Sequence, residues 1–87
     1  MVTVYVLKSR GQAKRYVGIT GNLARRLAEH ASGSTRAGQL LGEFLVLHTE
    51  DLPDHATARM RERFLKSGQG RKWLDELEGV SWPAKGG

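Results

Sequence analysis

Five side chains of this sequence belong to the types that phosphodiester cleavage requires: two phenols, a guanidinium, an imidazole and a carboxylate. They are Tyr5, Tyr16, Arg26, His30 and Glu62. A guanidinium binds a phosphate through two parallel hydrogen bonds, and a carboxylate oxygen is a ligand that Mg²⁺ prefers. A phenol or an imidazole can orient a water molecule or carry its proton. We therefore treat these five residues as a candidate catalytic set for phosphodiester cleavage.

The spacing within this set places three of its members around one strand-to-helix junction. Tyr16 begins a segment with the pattern of a strand, and residues 22–31 have the pattern of a helix. Arg26 and His30 are four residues apart, so they lie on one face of that helix. We expect Arg26 to border the sheet and the neighbouring Arg25 to point to solvent.

Each member of the set also has an ordinary structural explanation when it is taken alone. The two tyrosines are typical strand aromatics, and Arg26 is a typical charge on a helix surface. His30 is favourable near the negative end of a helix dipole. Glu62 can pair with Lys66 one helical turn later. Only the joint pattern favours a catalytic site.

Hydrophobic periodicity predicts the elements that hold these side chains. Residues 2–7 alternate with a period of two and are apolar on both faces, which is typical of a central strand. A polar connection follows, and residues 15–20 then complete a β-hairpin. In the simplest register Tyr5 and Tyr16 share one face of this hairpin. Asn22 is a suitable N-cap for the next helix, whose predicted apolar stripe has His30 at its edge and consists of Leu23, Ala24, Leu27, Ala28 and Ala31.

The rest of the chain completes a small α/β domain. Residues 34–42 are small and polar, which predicts a mobile loop, and residues 43–49 predict a third strand. Residues 55–66 predict a helix whose main apolar stripe is Ala56, Met60 and Phe64, with Ala58 and Leu65 as a narrower one beside Glu62. A short helix follows at residues 71–77. We expect a three-stranded antiparallel sheet flanked by helices, in the order β-β-α-β-α-α, with one domain at residues 1–78 and a tail at residues 79–87.

Composition limits the partners and the chemistry. The chain of 87 residues has a net charge of +5 and a pI near 10.1, which favours a polyanion as partner. Cysteine is absent, so a thiolate zinc site is excluded and a reducing cytoplasm is the expected location. No apolar run approaches the roughly 20 residues that span a bilayer. The candidate contacts to a nucleic-acid backbone are Lys8, Arg10, Lys14, Arg15, Arg36 and Arg71.

Taken together, the residues resemble the signature of the GIY-YIG nuclease domain. Thr3-Val4-Tyr5 and Tyr16-Val17-Gly18 correspond to the two tripeptides that name the family, with threonine in place of the first glycine. Arg26 and His30 follow at the family's spacing. Residues 58–68 look like the stretch that carries the metal-binding glutamate in the short, stand-alone branch, which is similar to a subunit of the excision nuclease. The resemblance extends from about residue 2 to residue 74.

The resemblance implies a specific catalytic role for each of the five candidate residues. A single Mg²⁺ or Mn²⁺ would bind Glu62, Arg26 would hold the scissile phosphate, and Tyr5, Tyr16 and His30 would manage the attacking water and its protons. The expected activity is metal-dependent hydrolysis of DNA, as in relatives that serve in repair, homing and restriction. Because a domain this small offers little surface for base recognition, we expect a structure preference, weak specificity or a protein partner for targeting. Two alternatives stay open: a nucleic-acid-binding module without catalysis, and a protein-interaction domain whose charge is incidental.

Overall fold

The computed structural model describes residues 1–79, so the predicted tail lies, from residue 80 onward, outside the described residues. Three strands and four helices follow one another in this part of the chain. They are β1 (Val2–Ser9), β2 (Arg15–Thr20), α1 (Leu23–Ala31), α2 (Arg36–Leu41), β3 (Phe44–Leu52), α3 (His55–Lys66) and α4 (Gly68–Glu78). No helix within residues 1–79 has the length and apolar character that crossing a membrane requires.

The sheet is antiparallel, with β1 in the centre and the order β2-β1-β3. Tyr5 lies directly opposite Gly18, and Leu7 lies opposite Tyr16. Because cross-strand partners share a face, the two tyrosines project from the same side of the sheet, as the hairpin pattern predicted. The predicted fold class, a three-stranded antiparallel sheet flanked by helices, is confirmed.

The core is divided into two halves because β1 is apolar on both faces. On one side, Val2, Val4 and Val6 pack with Ala58 and Leu65 of α3 and with Leu74 of α4. On the other side, Tyr5 and Leu7 pack with Leu41 of α2 and with the leucines of α1. The helices therefore form two layers, and the candidate catalytic residues of β1, β2 and α1 belong to the α1–α2 layer.

The loop predicted at residues 34–42 is wrong, because residues 36–41 form the short helix α2. The backbone N–H of Gly38 donates a hydrogen bond to the hydroxyl of Thr35, which caps the helix. A Cβ at Gly38 would lie 2.1 Å from the carbonyl oxygen of His30, so only glycine permits this close packing of α2 on α1. Tertiary packing thus stabilises a helix that its small, glycine-containing sequence does not indicate.

The predicted apolar stripes of two helices are also wrong in part. In α1 the three alanines of the stripe are exposed, and His30 is the buried residue at 3% exposure. In α3 the narrower pair, Ala58 and Leu65, is buried, whereas Met60 is 72% exposed. Burial of His30 and of the Ala58–Leu65 line sets the rotation of both helices over the sheet.

Candidate active site

Three rings of the candidate set meet on the α1–α2 side of the sheet. The ring centroids of Tyr5 and Tyr16 are 6.1 Å apart, and the ring of His30 lies 5.8 Å from Tyr5 and 5.5 Å from Tyr16. A buried hydrogen bond of 2.8 Å joins the Tyr5 hydroxyl to Nε2 of His30. Strand pairing supplies the two phenols, and burial of the C-terminal turn of α1 supplies the imidazole.

Gly18 creates the space for this cluster. A Cβ built on Gly18 would lie 2.6 Å from the Tyr5 hydroxyl oxygen and 2.9 Å from Cε2 of Tyr16. The tip of the Tyr5 ring therefore lies over the backbone of β2 at the one position of that strand without a side chain. The need for glycine here follows from its pairing with Tyr5 across the two strands. Sequence alone does not give this pairing, because it depends on the strand register.

Arg26 lies at the open side of the ring cluster. Its side chain is 38% exposed and pairs with Glu29 at 3.3 Å, whereas the side chain of Arg25 is 76% exposed. The guanidinium of Arg26 is close enough to Tyr5 and His30 to affect the pKa of both groups. The prediction that Arg26 borders the sheet, with Arg25 toward solvent, agrees with this geometry.

Burial governs the protonation of the two inner groups. It raises the pKa of Tyr5 to about 12, although the nearby Arg26 acts in the opposite direction. Burial also lowers the pKa of His30, and the positive charge of Arg26 lowers it further. At neutral pH the Tyr5 phenol is therefore protonated and the imidazole of His30 is neutral, so one of its ring nitrogens is free to accept a proton.

A cavity of about 580 Å³ opens beside the cluster. Tyr16, Arg26 and His30 line it together with Arg36 of α2. Tyr5 is completely buried behind these residues, while Tyr16 is half-buried and forms part of the wall. A phosphate in this cavity would meet the guanidinium of Arg26 and the phenol of Tyr16 before any other member of the set.

Glu62 lies on α3, in the other helical layer, on the flank of the helix that faces away from β3. On α3 the buried Ala58 and Leu65 face the sheet, and at about 100° per residue Arg61 and Glu62 flank that line on opposite sides. Arg61 binds Glu50 of β3 through both carboxylate oxygens at 2.9 Å. The Glu62 side is thus turned away from β3, toward the edge formed by β2.

The Glu62 carboxylate pairs with Lys66 at 3.1 Å through Oε2. Within residues 1–79 it makes no hydrogen bond with the other four candidates, and the same part of the chain holds no group of three or more potential metal-ligating side chains. Its second oxygen has no protein partner there and reaches the surface, although the side chain as a whole is only 16% exposed. A single carboxylate open to water fits Mg²⁺ or Mn²⁺, because Mg²⁺ keeps several waters and needs few protein ligands.

The six predicted backbone contacts divide into two groups. Lys8 forms an ion pair with Glu78, and Arg15 binds both Glu78 and Asp75 of α4. These two cations are neutralised inside the fold, so we no longer assign them to a nucleic acid. The four others are exposed and carry no ion pair within the described part of the chain: Arg10, Lys14, Arg36 and Arg71.

Thr35 is a site residue that sequence reasoning missed. Its hydroxyl contacts Nδ1 of His30 at 2.6 Å and also caps α2. The available signal was the threonine itself, since threonine is a preferred helix N-cap residue. That signal indicates a helix start but not a contact with an imidazole five residues earlier.

The chain is similar to known proteins in both sequence and fold. The family model described as GIY-YIG catalytic domain matches residues 1–74. Among solved structures, the chain is similar to the UPF0213 protein of Bacillus halodurans, determined by NMR in solution, at 30% sequence identity and a TM-score of 0.54. That alignment covers 91% of this chain and 87% of the other. Among curated proteins no sequence matches.

Proposed function

Because this chain belongs to the GIY-YIG family of nucleases, we propose that it is an endonuclease that hydrolyses DNA phosphodiester bonds with one divalent cation. The observation that carries the proposal is the convergence of Tyr16, Arg26 and His30 on one cavity, with Tyr5 hydrogen-bonded behind them. The cysteine-free, basic composition supports work on nucleic acid in the cytoplasm, for example in repair or processing.

In this proposal Arg26 holds the scissile phosphate. Its guanidinium exchanges the exposed ion pair with Glu29, which contributes little in water, for charge-assisted hydrogen bonds to the phosphate. These bonds strengthen as negative charge develops on the phosphoryl oxygens. Arg36, on the wall of the same cavity, binds a neighbouring phosphate of the same strand.

Tyr16 positions the attacking water, since it is the phenol that lines the cavity. Tyr5 is fully buried, so it acts behind Tyr16 by relaying a proton to Nε2 of His30. Glu62 is the residue that would hold Mg²⁺ or Mn²⁺. When bound, the cation would neutralise phosphate charge and stabilise the leaving alkoxide.

The test is cleavage of labelled single-stranded, duplex and branched DNA, with and without Mn²⁺. Glu62→Gln should abolish cutting while leaving DNA binding largely intact. Glu76→Gln is the matched control, because Glu76 is an exposed carboxylate elsewhere on the α3–α4 side. Cutting that persists in Glu62→Gln, or that is lost equally in Glu76→Gln, would contradict the assigned role of Glu62.

One observation favours a second function, a nucleic-acid-binding module without catalysis. The Glu62 carboxylate is paired with Lys66 and makes no contact with the four residues of the other layer within the described chain. Binding that weakens steeply with salt but yields no product with any DNA and Mn²⁺ would support this module over the enzyme. Absence of DNA binding at low salt would instead favour a protein-interaction domain.

A further inference from the structure

A continuous line of hydrogen-bonding groups runs from β1 through α1 to the start of α2. The Tyr5 hydroxyl lies 2.8 Å from Nε2 of His30, and Nδ1 of the same ring lies 2.6 Å from Oγ1 of Thr35. The backbone N–H of Gly38 donates to that Oγ1 at 2.9 Å. His30 is 3% exposed, so these partners, rather than bulk water, determine which ring nitrogen carries the proton.

We propose that Thr35 is a positioning residue that holds the neutral His30 in the tautomer with its proton on Nδ1. In this arrangement Nδ1–H donates to Oγ1 of Thr35, and Nε2 accepts the hydrogen bond of the Tyr5 phenol. The reverse arrangement would have the threonine hydroxyl donating to Nδ1 and Nε2–H donating to the phenol oxygen.

The relative acidity of the two hydroxyls favours the first arrangement. A phenol is a far stronger acid than an aliphatic alcohol, so it is the better donor to an imidazole nitrogen. Burial raises the pKa of Tyr5 to about 12, with the positive charge of Arg26 opposing the rise, and the phenol remains far more acidic than the threonine hydroxyl. Thr35 oxygen already accepts one bond from Gly38 and has a second lone pair available for Nδ1–H.

The tautomer decides whether His30 can take a proton from the phenol. With the proton on Nδ1, Nε2 can take the Tyr5 proton as the phenol oxygen receives the proton relayed from the water at Tyr16, so one O–H bond of Tyr5 breaks, another forms, and an N–H bond forms at Nε2. The resulting imidazolium keeps its hydrogen bond to Thr35, and Tyr5 remains a neutral phenol, as its raised pKa requires. With the proton already on Nε2, that nitrogen cannot accept another. Thr35 thus acts through His30, a role that rests on the proposed function, whereas the tautomer is a property of the free protein.

Nitrogen-15 NMR of the histidine rings tests the tautomer directly at neutral pH. The chain has three histidines, and His30→Gln identifies the His30 signals. We expect the wild-type protein to show a protonated Nδ1 and an unprotonated Nε2. Thr35→Ser should keep this pattern, while Thr35→Val should shift His30 toward the other tautomer. A wild-type ring protonated on Nε2, or an unchanged pattern in Thr35→Val, would overturn the proposal.

Loss of the α2 cap needs its own controls, because Thr35 also starts that helix. Thr35→Gly removes the hydroxyl but leaves an acceptable N-cap residue, so it should change the tautomer as Thr35→Val does. Gln39→Gly weakens α2 and keeps the hydroxyl, so the wild-type tautomer should persist. A changed tautomer in Gln39→Gly would show that the integrity of α2, and not the hydroxyl, is responsible.

A kinetic measurement links the tautomer to catalysis. Thr35→Val and Thr35→Gly should lower kcat for DNA cleavage by about tenfold, a part of the roughly 10²–10⁴-fold that proton transfer contributes, with KM unchanged and Thr35→Ser near wild type. A shifted tautomer with unchanged kcat would refute the link between Thr35 and proton transfer. If the wild-type protein cuts no DNA, the proposed nuclease activity fails, while the NMR result still decides the role of Thr35.

Discussion

Gly18 shows how a single residue can determine the geometry of the whole ring cluster. A methyl group at this position would lie 2.6 Å from the Tyr5 hydroxyl oxygen, so Gly18→Ala should displace the phenol from Nε2 of His30. We expect a loss of about 1–3 kcal/mol in the free energy of unfolding, the usual cost of overpacking a core, measured by urea denaturation. Gly21→Ala is the control, since nothing lies within 4 Å of its added Cβ; equal effects at both positions would contradict the prediction.

The buried imidazole predicts a specific pH dependence of stability. The folded pKa of His30 lies below its ordinary value of 6.5 because of burial, with Arg26 adding to the effect and Glu29 opposing it. Below pH 6.5 the unfolded chain therefore binds more protons than the folded one, and the stability of the folded state falls as pH falls. Above that pH the imidazole is neutral in both the folded and the unfolded chain, so its titration no longer lowers the stability of the folded state.

Replacement of the imidazole should remove this slope. Between pH 6.5 and the onset of carboxylate protonation near 4.5, His30→Gln should lose less unfolding free energy than the wild-type protein. Urea unfolding at a series of pH values measures the difference. Parallel stability curves for the two proteins in this window would contradict the assignment of the slope to His30.

The residue types of the site were predictable from the sequence, but their environment was not. Tyr5, Tyr16, Arg26 and His30 were identified from their types and spacing together with the resemblance to a nuclease family, and the rings of Tyr5, Tyr16 and His30 lie within 6.1 Å of one another. The burial of His30 depends on partners 25 residues before it and five residues after it. No local pattern in a helix records such partners, which is why Thr35 was not identified.

The position of Glu62 depends on how α3 is rotated over the sheet, a property of the element rather than of the residue. Arg61 binds Glu50 of β3 and lies over the rings of Phe64 and Trp73, at 4.9 and 5.1 Å from their centroids. The pair with Glu50, in which Nε of Arg61 lies 2.9 Å from both carboxylate oxygens, and the two aromatic contacts fix one side of the helix. The opposite flank, which carries Glu62, is thereby held toward the β2 edge.

Arg61→Ala should release this constraint. We expect a loss of about 2 kcal/mol in the free energy of unfolding, from a partly exposed ion pair and cation–π contacts, together with weaker Mn²⁺ binding in calorimetry. Arg63→Ala removes an exposed arginine from the same helix and should change stability by less than about 0.5 kcal/mol. Mn²⁺ affinity that is equal in the two variants would disprove the role of Arg61 in positioning Glu62.

Strands and the starts of α1 and α3 were easier to predict than helix faces. Period-two alternation identified all three strands, and Asn22 accepts the expected capping hydrogen bond from Arg25, whereas α2 was missed and α4 begins at Gly68 instead of residue 71. The stripe of α3 failed because Met60 counts as apolar in any pattern, yet Arg61 anchors the helix and turns Met60 to solvent. The contact that stabilises α2 is Gly38 against the backbone of α1. Because this contact involves no apolar side chain, it produces no hydrophobic periodicity in the sequence.

The charge of the whole molecule is less available to a polyanion than its net value of +5 suggests. Lys8 and Arg15 tie β1 and β2 to Glu78 at the end of α4, and so contribute to stability instead of binding. Arg36 and Arg71 line two different cavities, and Tyr16 forms a wall of both. A bound strand could therefore pass from one cavity to the other across the β2 edge.

Salt dependence separates these two kinds of cation. Arg36→Ala and Arg71→Ala should each reduce the slope of log K against log salt for DNA binding by about 1, without a change in stability. Lys8→Ala should leave the slope unchanged and lower the unfolding free energy by about 1 kcal/mol. An altered slope in Lys8→Ala would instead show that Lys8 contacts the nucleic acid, which would contradict this prediction.

The central position of β1 has a consequence for how the protein is made. β1 is synthesised before both of its partners: it pairs on one side with residues 15–20, but its other side stays unpaired until residues 44–52 follow. Until that segment emerges, a valine-rich strand presents unpaired backbone groups to any neighbouring nascent chain. Fragments that end before β3 should therefore aggregate during synthesis. Pairing of β3 with β1 is the step that protects the nascent chain from aggregation.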